Sequence, residues 1–278
     1  MNVVTIRAMA VILPLVAAGL CESAAARVFG SLESGYASFS DFRAVASERQ
    51  TISESAYFSA ANVGAYRAVG GRRTAVLVKM GFQDVRFDES GQLDNRVVNG
   101  DLGLYHRLGS GSSVMLLGGL RRLEFEDSDR DDRIASARLQ FRKPFLTVEW
   151  RNEVYYEQGA ETTLSGEYAG YGLSSSLSWS PHSKWQFSLG IGANRNRYDG
   201  SVQVVRETDG GLLRPPRREV VDVEIDQSED VLGGFVGLKR RLRDWLYLSA
   251  SAAHRRIRPE SGDDLEGETY SLALGVQF

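Results

Sequence analysis

The sequence predicts an all-β fold, a single antiparallel up-and-down β-barrel of about twelve strands that crosses a membrane. Three observations predict this fold: an apolar N-terminal segment that resembles a signal peptide, many segments in which apolar and polar residues alternate, and connections that alternate between short and long. The chain has 278 residues, 42% hydrophobic and 25% charged, as in folded proteins. Its formal net charge of −3 gives no basic footprint for nucleic acid.

The N-terminal segment has the organisation of a cleaved signal peptide. Arg7 and the amino terminus supply positive charge, and the apolar run 8–20 is too short to span a bilayer stably. Small residues at 24–26 allow cleavage before Arg27. We therefore expect a signal peptide at 1–26 and one β-barrel domain at 27–278. An uncleaved anchor helix is the alternative.

The only cysteine, Cys21, falls within this segment. Leu20 precedes it, whereas a lipoprotein site needs a small residue there. Cleavage after residue 26 would leave a mature chain without a thiol, so we expect no disulfide, cysteine nucleophile or cysteine metal site. Lipidation of Cys21 is the alternative.

The segments after residue 26 alternate with the period of a β-strand. In 145–156, for example, Val148, Trp150 and Val154 share one face, and Glu149 and Glu153 share the other. A helix would scatter this apolar set around its axis. The pattern predicts strands near 27–38, 54–67, 73–86, 95–107, 112–125, 132–142, 145–156, 163–180, 184–198, 218–239, 244–256 and 266–278.

The connections between these strands alternate in length. Five are short turns, at 69–72, 108–111, 143–144, 181–183 and 240–243. The others are longer and more polar, at 39–53, 88–94, 126–131, 157–161, 199–217 and 257–265. Short periplasmic turns and longer outer loops are typical of membrane barrels. Because Trp179, Trp185 and Trp245 flank short turns, we expect them in the periplasmic aromatic girdle.

The last segment carries the most specific signal. Tyr270, Leu272, Leu274 and Val276 alternate with other residues, and the chain ends on the aromatic Phe278. This resembles the terminal strand of bacterial outer-membrane β-barrels, the porin-like superfamily, without indicating one family within it. The resemblance implies the outer membrane of a Gram-negative bacterium, with lipid and lipopolysaccharide around the barrel. It also implies that Tyr270 and Phe278 are recognised by the barrel assembly machinery. A secreted sandwich or a soluble barrel is the alternative.

In such a barrel one face of each strand meets lipid, and the other lines the lumen and can carry charge. The alternation predicts these lumen-lining candidates for a constriction: Lys79, Asp101, Arg107, Arg138, Arg142, Glu149, Arg151 and Glu153. Uncharged polar residues predicted on the same face are Gln83, Asn99, Tyr105, Ser136, Gln140, Asn194 and Asn196. Cross-strand ion pairs between the sixth and seventh strands would brace the wall. The set is interpreted either as a constriction that selects solutes by charge and size, or as a structural network that plugs the barrel.

The predicted loop 199–217 is the longest and is basic. Its arginines are Arg206, Arg214 and Arg217, and Arg218 opens the next strand. These cations could meet lipopolysaccharide phosphates or an anionic solute, or the loop could simply be solvated. Val221, Val223 and Ile225 alternate with acidic residues, which predicts a strand that projects beyond the membrane.

We expect no enzymatic activity, cofactor or metal. Outer-membrane phospholipases, which some twelve-stranded barrels resemble, pair a histidine with a serine two residues later. His106, His182 and His254 all lack that serine. The acidic run 124–132 offers oxygen ligands for calcium but lacks the glycine and the terminal glutamate of an EF-hand loop.

These observations favour a porin-like channel for small solutes. The first alternative is a structural or assembly barrel with a plugged lumen, which resembles the membrane domains of proteins that export polysaccharide or place surface lipoproteins. Such a barrel would work with a periplasmic partner. The second is an outer-leaflet lipid hydrolase, which would require His254 beside a serine and an acid at the outer rim.

Overall fold

The computed structural model describes residues 26–41, 53–69, 71, 73–126, 132–161, 166–208, 217–260 and 263–278. Apart from Ala26, the predicted signal peptide lies outside these residues, as do Arg214 and most of the acidic run, 127–131. Among the described residues, no helix is long and apolar enough to cross a membrane.

Twelve antiparallel strands form one closed barrel in which each strand pairs with its neighbours in the chain and the last pairs with the first. Their bounds are β1 (Ala26–Ser40), β2 (Ser55–Ala68), β3 (Thr74–Phe87), β4 (Asn95–Arg107), β5 (Ser113–Phe125), β6 (Asp132–Phe145), β7 (Val148–Glu161), β8 (Gly166–His182), β9 (Trp185–Thr208), β10 (Arg217–Arg241), β11 (Leu246–Pro259) and β12 (Leu265–Gln277). Short 3-10 turns lie at Gly91–Leu93 and Gly109–Gly111. The predicted up-and-down barrel and its twelve strands are confirmed. The end of the barrel that carries the short connections is called the turn end, and the opposite end is called the loop end.

The prediction of a loop at 199–217 is wrong over most of that range. Strand β9 continues to Thr208 and β10 already begins at Arg217, with Val204 opposite Val221 and Val202 opposite Val223. The β-branched residues of 202–205 continue the strand, but the polar residues and glycine around them obscured the alternation. Among the described residues, β8 has no pairing to β9 beyond Asp199, and there the two strands of the hairpin pair only with each other.

The outer wall carries an apolar belt. Large apolar side chains that face away from the lumen are exposed on successive strands, among them Leu102, Leu116, Leu120, Leu139, Leu189, Ile191, Val236 and Leu272. At the turn end the Trp179 and Phe187 rings lie 5.5 Å apart, the Trp185 ring stacks on Phe187 at 6.4 Å, and Trp245 is exposed. An exposed apolar belt of this extent requires lipid contact, and the three tryptophans lie at the end where the sequence predicted a girdle.

Barrel closure extends to the last residue. The amide of Gly30 donates to the carbonyl of Phe278 at 2.9 Å, and the amide of Phe278 donates back to Gly30 at 3.0 Å. The Phe278 ring lies over Gly30, where an added Cβ would collide with it. A glycine is therefore needed at position 30 for the terminal ring to lie against the seam.

An apolar cluster covers the inner face of β1–β3 at the loop end. Ala56, Val85, Phe87 and Leu93 are buried, and Phe39 and Phe58 pack against them. The Phe87 amide donates to the carboxylate of Asp94 at 2.8 Å, which fixes the connection between β3 and β4 over this cluster. Large rings thus narrow the lumen from one side.

Candidate functional site

All eight predicted constriction residues lie on the inner face of the barrel. They belong to four strands: Lys79 to β3; Asp101 and Arg107 to β4; Arg138 and Arg142 to β6; Glu149, Arg151 and Glu153 to β7. Strand register aligns Lys79 with Asp101 and Arg142 with Arg151. The predicted uncharged lumen residues, including Asn194 and Asn196 of β9, share this face. The predicted charges therefore lie on one side of the lumen, along β3–β7.

Asp101 and Arg138 form an ion pair that bridges β5. Strand β5 separates the two residues, and Gly119 lies between them in register with Asp101. A Cβ on Gly119 would collide with the Asp101 carboxylate and would lie 2.9 Å from the Ser136 hydroxyl. Asp101 is buried, so its carboxylate needs the guanidinium of Arg138 to offset the loss of hydration. The sequence had placed Arg138 opposite the acidic residues of β7, but its partner is on β4.

Glu149 binds two arginines. Arg151 donates to its Oε1 at 3.2 Å, and Arg142 on the neighbouring strand bonds its other oxygen, Oε2. This confirms the predicted cross-strand ion pairing between β6 and β7. Because two guanidinium groups share one carboxylate, the group carries net positive charge.

A third ion pair between strands joins β5 to β7 across β6 and was not predicted from the sequence. Arg121 on β5 donates to Glu157 on β7 at 3.3 Å. Arg121 stands beside Arg122, and two adjacent arginines leave open which of them faces the lumen. Counting in steps of two from the outward Leu116 and Leu120 places Arg122 outward and Arg121 inward.

Small residues line the wall next to the charged strands. On the inner face of β8 and β9 stand Gly172, Ser174, Ser176, Ser178, Ser188, Gly190 and Gly192. The Phe235 ring of β10 lies over Gly190 and remains exposed in the lumen. The inner wall of β8 and β9 therefore carries small, uncharged side chains next to the inner arginines of β4–β7.

A buried polar cluster lies on the inner face of β8–β10 at the loop end. Asn196 and the Tyr198 hydroxyl both donate to Glu229 Oε1, at 2.8 and 3.2 Å. The Tyr168 hydroxyl donates to Asn196 at 3.3 Å. Asn196 was predicted on this face, whereas Glu229 was not among the predicted lumen residues. At the turn end a second group joins β10, β11, β12 and β1: Ser249 donates to Glu33 at 2.5 Å, and Lys239 donates to Gln277 at 3.1 Å.

The other predicted residues belong to β9, β10 and β11. Arg206 lies in β9 rather than in a loop, and Arg217 and Arg218 open β10. His254 faces outward near the loop end, 3.9 Å from Glu268, and the described residues give it no serine hydroxyl as a hydrogen-bond partner. No group of three or more His, Cys, Asp or Glu that could hold a metal ion occurs in the described part of the chain.

The sequence matches no protein-family model, and no curated protein sequence matches it significantly. Solved structures do match. An outer membrane channel from Pseudomonas putida F1 is 11% identical, with 92% of this chain and 96% of that chain covered and a TM-score of 0.59. The NanC porin is 8% identical, with 88% and 98% covered and a TM-score of 0.49. OmpT of Vibrio cholerae is 9% identical, with 92% and 99% covered and a TM-score of 0.45. At 11% identity, the likeness to the Pseudomonas putida channel shows the fold alone: this chain has the same closed antiparallel β-barrel architecture.

Proposed function

We propose that this chain is a passive, non-enzymatic channel for small solutes in the outer membrane of a Gram-negative bacterium. One observation carries the proposal: the inner wall of a closed barrel bears ionised side chains that remain accessible to water. Arg107, Arg121, Arg142 and Arg151 are all exposed, although each points into the barrel. A plugged lumen would exclude water from these groups at a large cost in desolvation.

The two faces of the wall have the complementary properties that a channel requires. The apolar belt on the outside suits hydrocarbon, and lipid and lipopolysaccharide are its proposed surroundings. On the inside, glycine and serine of β8 and β9 leave volume beside the charged strands. Twelve strands lie between small barrels filled by side chains and wide porins, so the proposed solutes are small.

A second function is favoured by the apolar cluster at the loop end. Phe39, Phe58 and Phe87 occupy the lumen side of β1–β3, and rings at a mouth can close it. If they do, the barrel would serve as a structural or assembly component, working with a periplasmic partner.

Single-channel conductance of the refolded mature protein in a planar bilayer tests this proposal. We expect stable current steps whose ion selectivity changes in Arg151→Gln. Arg96→Gln is the matched control, because Arg96 also pairs with an acid, Asp84 at 3.1 Å, but faces outward. A barrel that folds, as shown by heat-modifiable migration in electrophoresis, and yet passes no current would overturn the channel and support the second function.

A further inference from the structure

We infer that the lumen selects small anions, those with a carboxylate or phosphate group, at a row of three arginines on its inner wall. The row consists of Arg107, Arg142 and Arg151. This inference rests on the proposed channel function and names the solute class of that same site.

Strand register places the three arginines on one line along the hydrogen-bonding direction of the inner wall, beginning at the turn end of β4. Arg107 on β4 is opposite Ser113 on β5, and Ser113 is opposite Arg142 on β6. Arg142 in turn is opposite Arg151 on β7. The same line then continues through Ser176 and Gly190, which carry no charge, and the Phe235 ring lies over Gly190. A solute passing this part of the wall therefore meets three exposed guanidinium groups, followed by uncharged side chains on the next strands.

The carboxylates near this row are set back in the wall. In each of three inner ion pairs the arginine is more exposed than its acid: 53% against 23% for Arg142 and Glu149, 43% against 18% for Arg121 and Glu157, and 25% against 4% for Arg138 and Asp101. The acids lie close to the backbone, and the longer arginines extend past them into the lumen. The surface that a solute touches is thus cationic, although the wall contains both signs of charge.

The chemistry of the row suits oxyanions. A guanidinium group presents several N–H donors in a planar fork that matches the paired oxygens of carboxylate and phosphate. Arg142 and Arg151 share the single carboxylate of Glu149, which leaves donors of both free to face the lumen. Positive charge within low-dielectric walls also raises the local concentration of anions.

One acid works against this arrangement. Glu153 of β7 faces the lumen and bonds the uncharged amide of Gln140, so no arginine neutralises it in that contact. It lies two residues from Arg151 towards the loop end. Its negative charge should reduce the anion preference, and its removal should increase it.

The test measures the reversal potential of the refolded full-length mature barrel in a potassium chloride gradient. We expect the wild type to favour chloride. The reversal potential should shift towards that of potassium in Arg142→Gln and further in Arg142→Gln/Arg151→Gln, and towards that of chloride in Glu153→Gln. Arg96→Gln, on the outer face, should leave it unchanged. Inorganic phosphate on one side should reduce the chloride current of the wild type, and this block should weaken in the double variant.

The results distinguish a failure of the anion selectivity from a failure of the proposed channel function. An absence of conductance would contradict the proposed channel itself. A wild-type current that favours potassium would contradict anion selectivity but not the channel function. The same conclusion would follow if the reversal potentials of the Arg142 and Arg151 variants equalled that of Arg96→Gln. Heat-modifiable migration of each variant shows that it has folded.

Discussion

Arg138 and Asp101 meet across an intervening strand, directly over Gly119. The contact joins β4 to β6 on the inner face, which ordinary neighbour pairing within the sheet does not do. It depends on three residues at once: a buried acid, an arginine long enough to reach it, and a glycine that leaves the path open. Because the carboxylate is buried, the pair links the charge of the wall to the stability of the barrel.

Asp101→Asn should lower the free energy of unfolding by about 3 kcal/mol, since breaking a buried ion pair leaves one charge without its partner. Urea titration of the barrel in lipid vesicles, followed by tryptophan fluorescence, measures this change. Asp199→Asn is the control: Asp199 pairs with Arg197 at 3.1 Å, both are exposed, and the cost should stay below about 1 kcal/mol. Equal losses in the two variants would contradict a special role for the inner pair.

Gly119→Ala should destabilise the barrel by about 1–3 kcal/mol, because the new methyl group would force the Asp101 carboxylate from its position. The adjacent Gly118→Ala is a matched control, since a Cβ there meets nothing within 4 Å. The same urea titration compares them. In Asp101→Asn/Gly119→Ala the two costs should not add, because both changes disrupt one contact. Full additivity would show that Gly119 matters for another reason.

The sequence was sufficient for the fold and for the inner face, because both depend on a local period of two. Residues such as Val148, Trp150 and Glu149 show that period without knowledge of their neighbours. Pairing across strands is not local. The partner of Arg138 depends on the register of β4 against β5 and β6 and on a glycine 18 residues from Asp101. The extension of β9 to Thr208 was missed for a related reason: its strand character is established by pairing with β10.

The depth of the membrane is testable on β4 alone. Leu102→Arg would place a charge on the lipid face in the middle of the strand, where the cost is about 2–4 kcal/mol. Val98→Arg changes the same face two residues from Arg96, near the loop end, where the cost should be about 0–1 kcal/mol. Free energies of unfolding in vesicles measure both. A soluble barrel, measured without lipid, would not show this dependence on depth.

The terminal residue allows stability and assembly to be separated. The two hydrogen bonds between Phe278 and Gly30 join backbone atoms, so Phe278→Ala keeps both of them. The refolded variant should therefore lose no more than about 1–2 kcal/mol, the part contributed by an exposed ring against Gly30. If the assembly machinery reads the terminal aromatic, as its resemblance to other barrels implies, the amount of heat-modifiable barrel in outer-membrane fractions should fall much more than stability does. Leu274→Ala is the control, an equally exposed lipid-facing residue of β12. Similar membrane yields for the two variants would show that the ring contributes only apolar surface, because a specific signal has to distinguish position 278 from position 274.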